Sequence, residues 1–530
     1  MDNKKSSLAI PLLFSIAVII GMFIGYKLHG NMPNSKTLMS APKNNALEEV
    51  LHLVNQRYVD KIDLDSTSSE AIQALLKKLD PHSFYIPISE IKEVNEDLEG
   101  QFQGIGVEFN IFNDTVNVLS VIKNGPAQTA GIEIGDKITK VNDSIATGKS
   151  ITSDQFRKWV KGPMGSTVQL HFLRDNKQLQ KTITRGSIPI TAVDAAYMID
   201  NNKAYLRLNR FSSNTYREFI EAMQGLKEQG MKSLVLDLRD NGGGILEEAV
   251  DIVDEFIGGD QLLVYTMGEN HPRKEYKAKR PGIFETGNIT VLINEGSASA
   301  SEIIAGALQD LDRATIIGRR SFGKGLVQEQ YTLSDGSALR LTTARYFTPL
   351  GRSIQKPYKD HDDLKYQTEI LTRVHKTNIN GTDTSLPIKN PYKTQKGKIL
   401  YGEGGITPDQ TVSADMALFD TALNSLYANN TLGNFSYRYF MINKEKITQY
   451  KDFKQFEAGF NLDNTVIDEL IKFGASNGSS ISLKNPQTIA FTKNRIKALI
   501  GRIGFGESGY FFIVNANDKT YQSAIGSLNQ

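Results

Sequence analysis

The chain has 530 residues, enough for several domains, because single hydrophobic cores seldom grow past about 250–300 residues. Its formal net charge is +2 with both signs interspersed, which leaves no electrostatic footprint for nucleic acid. It contains no cysteine, so thiolate catalysis, cysteine zinc sites and a disulfide framework are excluded, while the redox compartment stays open.

The chain starts with a membrane signal. Lys4 and Lys5 precede a nearly unbroken apolar run from Leu8 to Ile24, closed by Tyr26 and Lys27. A spanning helix needs about 20 apolar residues, within a range of about 17–25, so this run sits at the short end. It is longer than a signal-peptide core, and no small-x-small cleavage site follows it cleanly. The expectation is an uncleaved signal anchor over residues 1–30, with a cleaved signal as the alternative. The preceding lysines hold the N-terminus inside and put the body of the protein outside the cytoplasm. Gly21 and Gly25 form a G-x-x-x-G, a weak signal for packing two such helices.

Residues 31–97 begin as a polar tether and continue with helical apolar spacing at Leu47, Val50, Leu51 and Val54, then at Ile72, Leu75, Leu76 and Leu79. Pro81 in L-D-P-H-S-F-Y ends the second helix, and His82 reads as structural. Residues 98–185 carry Q-F-Q-G-I-G-V-E-F from Gln101 to Phe109, the strand pattern V-N-V-L-S-V-I, and G-P-A-Q-T-A-G-I-E-I-G-D-K-I-T-K-V-N-D from Gly125 to Asp143. The glycines permit a turn whose N–H groups point inward. Beside an exposed strand edge, such a nest can hold a peptide's terminal carboxylate while the peptide adds as a strand.

From residue 186 the pattern becomes α/β. A-Y-L-R-L-N-R-F reads as a strand and T-Y-R-E-F-I-E-A-M-Q-G-L-K as an amphipathic helix. S-L-V-L-D-L-R is a buried strand running into D-N-G-G-G-I-L, from Asp240 to Leu246. A strand, a glycine-rich turn and a helix suit anion binding. A nucleotide-phosphate site is the obvious rival, but this segment has neither G-K-[ST] nor G-x-G-x-x-G.

The strand N-I-T-V-L-I-N, Asn288 to Asn294, feeds G-S-A-S-A-S-E at residues 296–302, which flows into an amphipathic helical start. Small side chains let a substrate backbone approach, and a helix N-terminus offers free N–H groups and a positive dipole end. A hydroxyl placed there can attack a carbonyl and have the oxyanion held. F-G-K-G-L-V-Q follows at residues 322–328, with Lys324 and Gln328 four apart and on one face of an extended segment. A lysine serves as a serine's base when burial lowers its pKa and keeps it neutral. None of the seven histidines lies in a nucleophile-elbow or metal-ligand context, and no H-E-x-x-H occurs. Residues 356–400 are polar and lysine-rich and read as a surface loop or flap. Residues 416–530 return to helical spacing. The plain reading there is a helical appendage packed on the rest; a homodimer or adaptor contact is the sharper one.

Together these motifs resemble the C-terminal processing, or tail-specific, serine peptidases over about residues 45–412, and residues 98–185 resemble a PDZ domain. The resemblance implies a multidomain α+β and α/β architecture: membrane helix, PDZ domain, crotonase-like protease core over 186–415, and a helical extension over 416–530. It makes Ser299 the nucleophile, Lys324 the base and Gln328 the residue that orients the lysine. It places the oxyanion hole at the backbone N–H groups of Gly243 and Ala300, and the tail carboxylate at Gly104, Ile105, Gly106 and Val107. D-L-R-D-N-G-G-G departs from the family's D-L-R-x-N-x-G-G stretch only in having Gly242 where proline is usual. No metal or cofactor is implied. The partners are proteins with exposed C-terminal tails, and the location is the bacterial cell envelope, anchored to the inner membrane or secreted after signal cleavage. The rivals are a non-catalytic PDZ scaffold, which the intact Ser299, Lys324 and Gln328 oppose, and a crotonase-like acyl-CoA enzyme, which leaves the PDZ domain unexplained.

Overall fold

The structure is a computed structural model that describes residues 46–358, 364–366, 368–370, 372–373, 391–414, 420–477 and 482–529. The anchor expected at Leu8 to Ile24 and the tether before residue 46 lie outside the described residues. Among the described residues no helix is long and apolar enough to cross a membrane.

Two compact units divide the chain, Met1–Ala74 and Leu75–Gln530. In the first, the helix Ala46–Arg57 follows the predicted spacing, but none of its residues is buried. The helix Leu64–Leu76 starts behind Asp63, whose carboxylate accepts the N–H groups of Asp65 and Ser66 at 3.1 and 3.3 Å. That satisfies donors a helix start leaves orphaned.

The second unit is built around three sheets. The PDZ sheet is antiparallel and runs Val107–Phe112, Thr115–Val121, Lys137–Val141, Thr167–Arg174, Lys177–Thr184, so its first strand is an edge. Ile105, Val118, Ile138, Phe156 and Phe172 fill its core. The central sheet orders its strands Val193–Met198, Lys203–Leu208, Ser233–Asp237, Asn288–Ile293, Thr315–Gly318, Gln410–Thr411. Its first pair is antiparallel and every later pair parallel. Parallel strands are covered on both faces, which is why these segments read as continuous apolar runs. Alternate residues serve the two faces. Leu234, Leu236, Val291 and Ile293 pack under the helices Thr215–Glu228, Leu246–Asp254 and Ala300–Asp310. Val235 and Leu292 turn the other way, toward Tyr521 and Ala524 of the C-terminal helix Lys519–Ser527 and Leu528 at its C-cap. The third sheet is antiparallel: the long strand Ala338–Phe347 pairs with Leu326–Thr332, Phe84–Ile86 and Leu262–Gly268.

Residues 420–477 and 482–514 fold on a core of their own that includes Leu426, Phe440, Phe456, Leu470 and Ile500, while the last helix Lys519–Ser527 packs on the central sheet. This region is more than an appendage. On one side Arg239 reaches Asp518 at 2.8 Å and Asn515 donates to Tyr197 at 3.0 Å, under the central sheet. On the other side Tyr437 stacks edge-on against Phe112 of the PDZ edge strand, with ring centroids 5.5 Å apart. It is a wedge between sheet and PDZ domain.

Of the lysine-rich insertion expected at 356–400, residues 359–363, 367, 371 and 374–390 lie outside the described residues, and part of its described start is buried. Lys356 and Tyr366 are buried, at 4% and 8% exposure. The Lys356 ammonium lies 4.1 Å from the centre of the Phe322 ring and 3.9 Å from that of Tyr366. Two aromatic faces give a buried cation an attractive environment that polarity counting misses.

Candidate active site

The strand Asn288–Ile293 ends where the chain must turn into the helix Ala300–Asp310, and the three serines of the turn part company there. Ser297 is fully buried; its hydroxyl donates to Leu238 O at 2.8 Å and accepts from Asn294 N at 3.0 Å. Ser301 is fully buried and donates to Asn241 O at 2.9 Å. Both hydroxyls are occupied in tying the turn to the glycine-rich loop beside it. Ser299 is the partly exposed one, and it sits at φ 54°, ψ −113°. A non-glycine residue at positive φ persists only where its surroundings over-determine it, and such strain clusters at reactive turns.

Those surroundings are Glu302 and Tyr346. Glu302 is fully buried, and its Oε2 accepts the N–H of Ser299 at 2.8 Å and that of Lys324 at 2.9 Å. Its Oε1 accepts the N–H of Gly323 at 2.7 Å and the Ser321 hydroxyl. Burial pushes this carboxyl up to about 7, against the opposing pull of those four hydrogen bonds. The Tyr346 hydroxyl lies 2.6 Å from Lys324 O and 3.1 Å from Ser299 O. One carboxylate oxygen and one phenol thus join the backbones of two residues that are 25 apart in sequence.

Lys324 Nζ donates to Gln328 Oε1 at 3.0 Å, and Gln328 Nε2 donates to His82 O at 2.9 Å. The second bond fixes which end of the amide faces the lysine. Asp80 holds that carbonyl in place: its carboxylate accepts from His82 N at 2.7 Å and from Ser83 N at 2.9 Å. Burial, and then the Arg340 charge, lower the Lys324 pKa from its ordinary 10.5, with Glu302 and Asp80 opposing. Burial, aided by the Lys324 charge, holds the His82 imidazole down near about 4, so it is neutral over the physiological range. His82 acts through its backbone, in keeping with a structural role.

Gly243 lies against the Ser299 turn at φ 95°. A Cβ there would come within 2.7 Å of Ala298 O and of Ser299 Cβ, so only glycine fits. Its N–H, however, donates to Asn241 Oδ1 at 2.9 Å. Among the described residues the N–H groups of Ala300 and Gly244 have no acceptor. The loop is anchored from below through Asp237. Burial would raise that carboxyl, but Arg239 and Arg207 outweigh it and hold the group well below the usual carboxylate range.

In the PDZ domain, Gly104 ends the strand Gln101–Gly104 and Val107 opens the next one. Between them Ile105 O accepts from Ala127 at 2.8 Å and Gly106 O from Ile122 at 3.0 Å. Neither the Ile105 nor the Gly106 N–H has an acceptor among the described residues. Gly106, at φ 78°, makes the turn.

Sequence reasoning missed Glu302 and Tyr346. Glu302 had a signal, since S-x-x-E ahead of an apolar run is a capping box. Tyr346 had none, being one more aromatic residue in a strand.

Comparison with known proteins gives the family of both domains. Residues 202–363 match peptidase family S41, residues 103–184 a PDZ domain, and residues 422–506 a family of unknown function. A carboxy-terminal-processing protease of Bartonella bacilliformis is 37% identical over 58% of this chain and 71% of its own. A probable CtpA-like serine protease of Staphylococcus aureus is 35% identical over 67% of this chain and 71% of its own. Its Staphylococcus epidermidis counterpart is 33% identical over 80% of this chain and 84% of its own. Identity at this level, across most of each relative, means that the chain belongs to peptidase family S41 and is a PDZ-containing serine peptidase.

Proposed function

We propose that this peptidase captures the C-terminal tails of protein substrates on its PDZ domain and cleaves them through a serine–lysine mechanism. The observation that carries the reading is the ordered chain from Lys324 Nζ through Gln328 to the His82 carbonyl, tied to Ser299 by Glu302 Oε2. Ser299 Oγ attacks the scissile carbonyl. Lys324, its pKa lowered by burial, takes the serine proton in its neutral form and returns it to the leaving amine. Gln328 aims the lysine lone pair. The Ala300 N–H stabilises the oxyanion at the helix N-terminus. The Gly243 N–H joins it once Asn241 Oδ1 releases it; the unengaged Gly244 N–H stands one residue on.

The open Ile105 and Gly106 N–H groups supply the carboxylate site for the tail, with Gly104 and Val107 framing it. The protease core is of the crotonase-like type in this reading, the run Leu8 to Ile24 anchors the chain, and the catalytic body works in the cell envelope. The internal contacts of the C-terminal region, Arg239 with Asp518 and Phe112 with Tyr437, support an intramolecular role for it over dimerisation. The test is cleavage of an unfolded protein with a free C-terminus, by the wild type and by Ser299→Ala. Loss of cleavage supports the assignment, and retained cleavage refutes it.

A further inference from the structure

The PDZ edge strand Val107–Phe112 pairs with only one neighbour, Thr115–Val121, among the described residues. Its side chains alternate. Val107, Phe109 and Ile111 pack on the PDZ core. Glu108, Asn110 and Phe112 point the other way and meet the C-terminal region: Glu108 pairs with Arg502 at 2.8 Å, Asn110 bonds Asn434, and Phe112 stacks on Tyr437.

A tail whose carboxylate sits on the Ile105 and Gly106 N–H groups must run from there along the open edge toward Phe112. It is therefore antiparallel to the edge strand, with its last residue beside Val107 and its penultimate residue beside Glu108. Directly opposed residues of an antiparallel pair share a face, with Cβ atoms about 4.5–5.5 Å apart. The penultimate side chain thus falls on the outer face, against Glu108 and the helix that carries Arg502.

That patch has a definite charge. Arg502 binds both Glu108 and Glu507, so two carboxylates share one guanidinium. The three side chains keep 41%, 36% and 33% of their surface open for Glu108, Arg502 and Glu507, so a ligand can reach them. One negative charge is left over.

We infer that the C-terminal helical region walls the outer face of the tail groove, opposite the PDZ helix Ser153–Val160 on the inner face, and that the Glu108–Arg502–Glu507 cluster selects a basic over an acidic penultimate residue. This rests on the tail-capture reading and gives the region of unknown function a substrate-reading task.

The test uses the full chain carrying Ser299→Ala, so that peptides bind without being cut. Short fluorescent peptides differ only in a penultimate Lys, Ala or Glu, each as free acid and as amide, and binding is followed by anisotropy. The free acid with Lys should bind roughly three- to tenfold tighter than that with Glu, and about 0.5 M salt should shrink the ratio. Glu507→Gln should bring the ratio toward one and Arg502→Gln should widen it. Loosened docking alone would weaken all peptides alike. Equal binding by the three free acids, or a preference for Glu, overturns the inference while a weaker amide keeps the tail reading. Free acids that bind no better than amides, or not at all, sink the tail reading itself.

Discussion

The Ser299 turn and the PDZ edge are opposites in how their polar groups are used. Around Ser299 nearly every neighbouring group is taken: Glu302 accepts four hydrogen bonds, Tyr346 reaches two carbonyls, and the flanking serines are bonded to backbone. At the PDZ edge the Ile105 and Gly106 N–H groups are open and the nearest ion pairs are partly exposed. The contrast follows from the work each region does. Chemistry needs reacting groups held before the substrate arrives, since reorganisation during reaction raises the barrier. Capture needs unsatisfied groups that a partner completes.

The largest effects should come from the satisfied region. Ser299→Ala should lower turnover by at least about 10³-fold, whereas Ser297→Ala and Ser301→Ala should keep measurable turnover and lose about 0.5–1.5 kcal/mol of stability. Peptide cleavage and thermal melts check both halves. Loss confined to Ser297 or Ser301 would move the nucleophile.

Lys324→Arg should be almost as damaging, because guanidinium does not give up its proton. In the wild type, activity should rise with pH as Lys324 deprotonates, at a pH below 10.5. The same lowered pKa has a stability sign. Its contribution is full above the unfolded pKa and is lost as pH falls through the folded one. The wild type should therefore melt higher as pH rises through the folded pKa, and Lys324→Met, while inactive, should lack that rise. Normal turnover in Lys324→Arg would refute the serine–lysine mechanism.

Glu302→Gln places an NH₂ among N–H donors and should cost about 10–100-fold in kcat with little change in KM. An unchanged kcat would show that the two backbones hold their places without the carboxylate.

The open region should respond through KM. Amidating a substrate's C-terminus should raise KM about tenfold, the scale of losing a charge-assisted hydrogen bond, with kcat for tail-free peptides unaffected. Equal cleavage of both forms would erase the contrast between the regions. Smallest of all, Tyr346→Phe should cost only about two- to tenfold in kcat, because Glu302 still ties Ser299 to Lys324. A loss as large as that of Glu302→Gln would make the phenol the principal brace.

Much of the site was legible because its parts lie in short motifs. Ser299 sits at a strand-to-helix turn, Lys324 and Gln328 lie four apart, and the G-I-G loop opens an edge strand. Each is a local statement about backbone direction and hydrogen-bonding groups, and local statements survive in sequence. Choosing among the three serines was a different matter. Small-residue runs look alike until Leu238 and Asn241 arrive from the loop after the strand Ser233–Asp237 to occupy two of the hydroxyls.

The sequence by itself determined the residue types available for chemistry, the α/β periodicity of the core and the glycine-rich loops. Tertiary structure alone decided that Glu302 and Tyr346 join the backbones of Ser299 and Lys324, that Lys356 is buried between two rings, and that the last helices wedge between sheet and PDZ domain. Arg502 meets Glu108 across 394 positions of chain, and Arg239 meets Asp518 across 279. Such contacts have no periodicity to betray them. Each partner looks like an ordinary solvated charge until packing of the helical core on two sheets brings it to its partner and fixes the distance.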